Sequence, residues 1–180
     1  MQNAHLPILG FAAFSGTGKT TLLKKLLPLL RDRGVRVGMV KHAHHSFDVD
    51  RPGKDSFELR KAGAAQMLIA SRSRWALMVE RKLEKDPLLD EVLLELDQAA
   101  LDLILVEGFK QEQFPKIELR RAGLRRPLLY PGDPNIIAVA TDSPDGLDTA
   151  LPVLDLNRPD MIADFIIENI LEGNRQAASG

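Results

Sequence analysis

Cysteine is missing from the 180-residue chain. That absence removes disulfides, thiolate nucleophiles and cysteine-based zinc sites together. A fold that needs no disulfide suits the cytosol. An excess of one charge is missing too. The 24 basic and 25 acidic side chains leave a formal net charge of −1, so nothing in the balance calls for nucleic acid or an anionic membrane as partner. No apolar run approaches the ~20 residues that a membrane-spanning helix needs. A cleaved leader is not expected: the apolar stretch Leu6–Phe14 has no basic segment before it and runs straight into the most informative motif of the chain. Repeats, low-complexity blocks and a Ser-His-Asp arrangement with recognisable local context are also absent. What is present is a 44% hydrophobic composition over a length that fits one domain with one core.

The motif is Ala13-Phe-Ser-Gly-Thr-Gly-Lys-Thr20, which reads A-x-x-x-x-G-K-T. It follows an apolar strand pattern and precedes a Leu/Lys-rich helical segment, Thr21–Arg33, and that context gives the motif a mechanism. Backbone N–H groups of such a loop converge on phosphate oxygens at the positive end of the new helix. Ser15, Gly16, Thr17, Gly18, Lys19, Thr20 and Thr21 are the candidate phosphate contacts, with Lys19 directed to the β- and γ-phosphates and Thr20 to Mg²⁺. The first glycine of the usual pattern is Ala13 here. A methyl fits at that position if the backbone keeps a negative φ.

The remaining pattern alternates strands and helices. Apolar runs at Leu6–Phe14, Val35–Val40, Leu101–Val106, Ile136–Ala140 and Leu151–Leu156 read as strands, with a shorter one at Lys116–Arg120. The first helix is expected to end at Gly34 and to be kinked or shortened by Pro28. Asp55 with Glu58 makes a capping-box-like helix start. Gln66–Ala70 and Trp75–Glu80, joined by Ser71–Arg74, read as a hairpin. Asp86-Pro87 is expected to open a helix running to Gln98, with Leu89, Val92, Leu93 and Leu96 on one face, and Asn157 to cap a helix running to Leu171. The predicted architecture is α/β: a P-loop NTPase-like, mostly parallel sheet flanked by helices, with an antiparallel hairpin insertion near residues 65–80. Residues 1–172 form the single nucleotide-binding domain and 173–180 a frayed tail.

Four further segments carry candidate chemistry. Glu107 ends the apolar strand Leu103–Glu107, where a phosphate loop's partner carboxylate holds Mg²⁺ directly or through water. The loop Lys41–Asp55 falls at the carboxyl end of a strand, where open α/β sheets bind ligands. It reads as a switch in which Asp50, or Asp48, holds a metal-bound water and Lys41 or Lys54 meets phosphate. It also reads as a solvated polar loop, or as a transition-metal site of His42, His44 and His45 with Asp48 and Asp50. The cluster Arg120, Arg121, Arg125, Arg126 is a lid over transferring phosphates, a contact for a phosphorylated ligand, or a solvated basic loop. Asp142 can accept hydrogen bonds from guanine N1–H and N2–H₂, but the full N-K-x-D guanine motif is absent, and a turn or capping role is equally open.

Taken together, Ala12–Lys25, Lys41–His45, Asp48–Ser56, Glu58–Gln66, Arg74–Met78 and Leu103-Ile-Leu-Val-Glu-Gly-Phe-Lys110 resemble the molybdopterin-guanine dinucleotide biosynthesis protein B family, MobB. The resemblance spans most of residues 7–172. It implies a cytoplasmic, dimeric GTP-binding protein with weak intrinsic hydrolysis. It also implies a helper of the guanylyltransferase that joins GMP to molybdopterin. By position it assigns Ser15–Thr21 to phosphates, Thr20 and Glu107 to Mg²⁺, and Asp50–Ser56 to a second loop at the nucleotide, and it favours guanine reading at Asp142. It gives no pterin pocket, for which the arginine cluster is the candidate. The catalytic set under this reading is Lys19, Asp50 and Glu107. Two other functions remain open to the residues themselves: a small-molecule kinase with Arg120–Arg126 as lid, and a non-catalytic module whose nucleotide only sets its shape.

Overall fold

The computed structural model describes residues 1–43, 47–81 and 85–173, which divide into two compact units, residues 1–42 with 88–180 and residues 43–87. The first unit is built on a six-stranded sheet. β1 (Ile8–Ala12) lies between β5 (Leu103–Glu107) and β6 (Lys116–Arg120); β2 (Val37–Lys41) flanks β5, and β7 (Ile136–Thr141) and β8 (Val153–Asp155) continue beyond β6. Every pairing is parallel. Parallel strands are covered on both faces, and β1 is accordingly buried along its whole length. Leu9 and Phe11 meet Leu22, Leu23, Leu26 and Leu30 of α1 (Lys19–Asp32), with Ile162, Ala163 and Ile166 of α4 (Pro159–Ile166) in the same cluster. On the other face Ile8, Val40, Ile104 and Val106 pack with Phe109, Phe114 and the fully buried Leu89 and Leu93.

Three helices differ from the sequence expectation. Pro28 does not shorten α1, which runs four residues further. Burying its four leucines is worth roughly 1.5–3 kcal/mol each, more than the ~3 kcal/mol an interior proline costs. The helix expected over 86–98 is a single turn, α3 (Leu89–Val92), continued by a 3₁₀ turn to Glu95. Its first N–H is met by Glu112 Oε1 at 2.9 Å rather than by Asp86. The Gln98 side chain takes the Leu93 carbonyl at 2.9 Å and the Asn3 carbonyl at 2.8 Å, so the backbone leaves the helix after one turn. The apolar face still points inward. Asn157 is not the cap of α4: Arg158 occupies that position, Pro159 follows as the first helical residue, and Arg158 donates to both Asp160 oxygens from Nε and Nη2. The helix continues through a π-helical segment to Glu172.

β6 carries the least expected burial. Lys116 and Glu118 are both 2% exposed in the middle of the sheet. Lys116 Nζ donates to the Glu112 carbonyl at 2.7 Å and to Asp133 Oδ2 at 3.0 Å. Glu118 accepts the Leu129 and Tyr130 N–H groups at 3.0 and 2.8 Å. Burial pushes the Glu118 carboxyl above its usual range, against the pull of those two amides. These bonds tie the segments on either side of β6 back onto the strand that leads to the site.

In the second unit, α2 (Asp55–Lys61) precedes a hairpin of β3 (Gln66–Ala70) and β4 (Trp75–Val79) in antiparallel register, Leu68 opposite Leu77. The expected capping-box-like start of Asp55 with Glu58 does not form. Lys54 is the cap residue, and Asp55 is already helical. Glu58 alone reaches back, to the Gly53 N–H at 3.0 Å. Arg60 is buried and bonded to both Asp48 and Glu80, which joins the loop, the helix and the end of the hairpin.

Candidate functional site

β1 ends at Ala12, and the chain turns through 13–18 into α1. Ala13 is buried and keeps a negative φ, so the methyl in place of the usual first glycine is accommodated. Gly18 has φ 99° and ψ 21°, a left-handed conformation that lets the chain enter the helix with its amides turned inward. Thr17 is buried and its hydroxyl donates to the Phe14 carbonyl at 2.8 Å. Lys19 Nζ folds back onto the Ala13 and Phe14 carbonyls at 3.0 and 3.4 Å. Desolvation lowers the Lys19 pKa; Glu107 opposes this, while Lys110 and Lys41 add to it. Ser15, Thr20 and Thr21 are exposed around the loop.

The strand neighbours complete this edge. Glu107 ends β5 opposite Phe11 of β1 and Lys41 of β2, with Lys41 Nζ 3.5 Å from Glu107 Oε2. The next residue, Gly108, has φ 100°, and a Cβ there would lie 2.6 Å from His42 Cβ. His42 donates its N–H to the Glu107 carbonyl at 2.8 Å and stacks on Phe109, ring centroids 4.7 Å apart. Phe109 itself holds φ at 51°. The turn after Glu107 is thus fixed by packing from β2. The sequence reading assigns a role to Glu107 and marks Gly108 only as the end of its strand; the parts that Phe109 and His42 play in the turn come from packing between the ends of β2 and β5.

The arginine cluster does not act as a unit. Arg121 donates from Nε to the Thr17 carbonyl at 2.9 Å and from Nη1 to Asp142 Oδ2 at 3.2 Å. Arg126 lies over the Phe14 ring at 5.7 Å. Asp142 also accepts the Ala122 N–H at 3.0 Å; that bond, with Arg121, holds its carboxyl below the usual range. Lys19, Thr20, Glu107 and Asp142 are therefore all carried by the carboxyl end of the sheet in one unit. Asp50 and Lys54 belong to the second unit. There Ser56, then the Arg51 amide and the charges of Arg60 and Lys54, keep the Asp50 carboxyl below its usual range. Lys54 caps α2. His44 and His45 lie outside the described residues.

The residues fit a triphosphate with Mg²⁺. Gly16 and Gly18 both hold positive φ, and a Cβ at Gly16 would meet nothing within 4 Å, so the space beside the loop there is open. Lys19 feels the charges of Glu107, Lys110 and Lys41, and Lys41 pairs with Glu107. Among the described residues no three His, Asp or Glu side chains converge on one point. Mg²⁺ in such sites needs none of that, because phosphate oxygens and water fill most of its shell.

A parallel sheet whose central strand turns through a glycine loop into a helix, with a carboxylate ending the adjacent strand, defines a P-loop NTPase-like fold. The sequence model of the family described as Molybdopterin guanine dinucleotide synthesis protein B (MobB) matches residues 8–142. The chain belongs to that family. It is 56% identical over 164 residues to the molybdopterin-guanine dinucleotide biosynthesis adapter protein of Escherichia coli, covering 91% of this chain and 93% of that one. The Haemophilus influenzae protein of the same name is 46% identical over 165 residues, covering 92% and 90%. The crystal structure of the MobB homologue from Bacillus stearothermophilus superposes with a TM-score of 0.65 at 28% identity, covering 90% of this chain and 96% of that one.

Gly108→Ala tests the turn after Glu107. The left-handed φ and the overlap with His42 together cost about 2 kcal/mol or more, so urea unfolding should show a matching loss of stability. A wild-type midpoint would show that the β2–β5 exit is not packed as described.

Proposed function

We propose that the chain is a cytoplasmic GTP-binding adapter in molybdopterin guanine dinucleotide biosynthesis, assisting the guanylyltransferase that joins GMP to molybdopterin. The observation that carries the nucleotide part is Lys19 at the start of α1, directly after a loop with two left-handed glycines and within the field of Glu107. Lys19 donates to the Ala13 and Phe14 backbone carbonyls, and β- and γ-phosphate oxygens offer it charged acceptors instead. Thr20 and Glu107 hold Mg²⁺, Glu107 through water. Asp142 reads guanine with the lone pairs that Ala122 and Arg121 leave free. Hydrolysis is weak because the guanidinium nearest the loop, Arg121, is engaged by Thr17 and Asp142 and not aimed at a γ-phosphate. A kinase lid would need the 120–126 segment free to close, whereas Arg121 and Ala122 tie it to Thr17 and Asp142. No helix among the described residues is long and apolar enough to cross a membrane.

The second unit supports a homodimer. Alternation places Leu68, Trp75, Leu77 and Val79 on one face of the hairpin, and all four are exposed, Trp75 at 78%. An isolated two-stranded hairpin is marginal in water, and its open edges invite pairing with another chain. A second copy of the chain meets both needs with the same surface.

Two measurements test this reading. In calorimetric titration with Mg²⁺, GTP should bind more tightly than ATP, and Lys19→Ala should weaken GTP binding at least about 100-fold, about 2.7 kcal/mol. Equal GTP and ATP affinities would remove the guanine reading, and unchanged binding by Lys19→Ala would remove the loop assignment. In sedimentation equilibrium the protein should be a dimer and the Trp75→Lys/Leu77→Lys variant a monomer; a dimeric variant would move the interface off the hairpin.

A further inference from the structure

We infer that Arg121 is the positioning residue of the phosphate loop: it orients the Thr17–Gly18 peptide and ties the loop to Asp142. The inference rests on the triphosphate reading of the loop. Its ground is the geometry of one peptide unit. A trans peptide is planar, with its C=O and N–H pointing in opposite directions. The Thr17 carbonyl and the Gly18 N–H share such a plane. Arg121 Nε takes the carbonyl at 2.9 Å on one side, which turns the Gly18 N–H to the other. Gly18 is the residue at which the chain enters α1, with a left-handed φ of 99° that leaves this plane easy to rotate. A glycine peptide in that position needs an external hold, and the guanidinium supplies it.

The hold is itself anchored. Asp142 Oδ2 takes Arg121 Nη1 at 3.2 Å, while Oδ1 takes the Ala122 N–H at 3.0 Å, so one carboxylate fixes both the guanidinium and its own backbone neighbour. Asp142 directly follows β7, whose Thr141 pairs with Arg120 of β6. Arg121 also lies against the turn: a Cβ added to Gly18 would be 3.5 Å from Nη2 and 3.6 Å from Nε, ordinary van der Waals contact. A lysine can reach one of these partners but cannot bridge a carbonyl and a carboxylate with a rigid fork. Through Arg121 the ends of β1, β6 and β7 form one frame, and the phosphate end of the nucleotide is coupled to the Asp142 end.

The test uses the full chain with a fluorescent GTP analogue and Mg²⁺, together with the Gly18 amide resonance by NMR. In the wild type, triphosphate should move the Gly18 amide proton downfield, the signature of a bond to an anionic oxygen. Arg121→Ala should weaken analogue binding about tenfold or more and abolish most of that shift, and Arg121→Lys should restore neither in full. Binding within twofold of wild type with the Gly18 shift intact in Arg121→Ala would overturn the inference, as would full restoration by lysine, which would make Arg121 a plain cation. Loss of binding in Lys19→Ala but not in Arg121→Ala would leave the triphosphate reading standing and sink this inference alone. Wild-type protein that does not bind the analogue would sink both.

Discussion

Strand β1 is held between two parallel partners, β5 and β6, and that arrangement decides where the chemistry collects. Parallel pairing puts the carboxyl ends of all six strands on one edge of the sheet. The loop after β1, Glu107 at the end of β5, Lys41 at the end of β2, Arg121 after β6 and Asp142 after β7 share that edge because their strands run the same way. Antiparallel placement of β6 alone would send Arg121 to the opposite edge, and the loop would lose its clamp.

Charge follows from the same edge. Lys41 pairs with Glu107 and Arg121 with Asp142, and Lys19 feels the charges of Lys41 and Lys110. Desolvation lowers the Lys19 pKa, and the nearby lysines lower it further. A polyanion relieves this crowding. At ~4 Å a unit charge pair is worth about 4 kcal/mol near a protein surface, and a triphosphate offers several such pairs. Strand β6 is fixed by a different route: its buried Lys116 and Glu118 bond to Glu112, Asp133, Leu129 and Tyr130, which offsets part of their desolvation and pins the flanking segments.

The glycine loop, the strand ending in Glu107 and the hairpin were legible in the sequence because each depends on local pattern: a fixed motif, a run of branched apolar residues, two runs joined by a polar turn. The termini of helices were not. Gln98 ends α3 from outside the helix and Glu112 starts it from twenty-three residues away, contacts that no window reveals. Arg121 was visible only as one of four arginines. Strand alternation distinguishes it, since 117, 119 and 121 fall on the α1 side of β6 and 116, 118 and 120 on the other. What alternation cannot give is the 2.9 Å approach to Thr17, which depends on the β1–β6 register.

The chain belongs to a family of molybdopterin guanine dinucleotide biosynthesis, and the proposed role asks this edge to hold a nucleotide in place, a task that fixed backbone and clamped side chains suit better than a mobile lid does. The most direct test is a crystal structure with Mg²⁺ and a non-hydrolysable GTP analogue. It should show the triphosphate over residues 15–20, with Lys19 Nζ moved off the Ala13 and Phe14 carbonyls onto the β- and γ-phosphates and Arg121 still on Thr17. Triphosphate bound elsewhere, or a Lys19 that stays on those carbonyls, would contradict it.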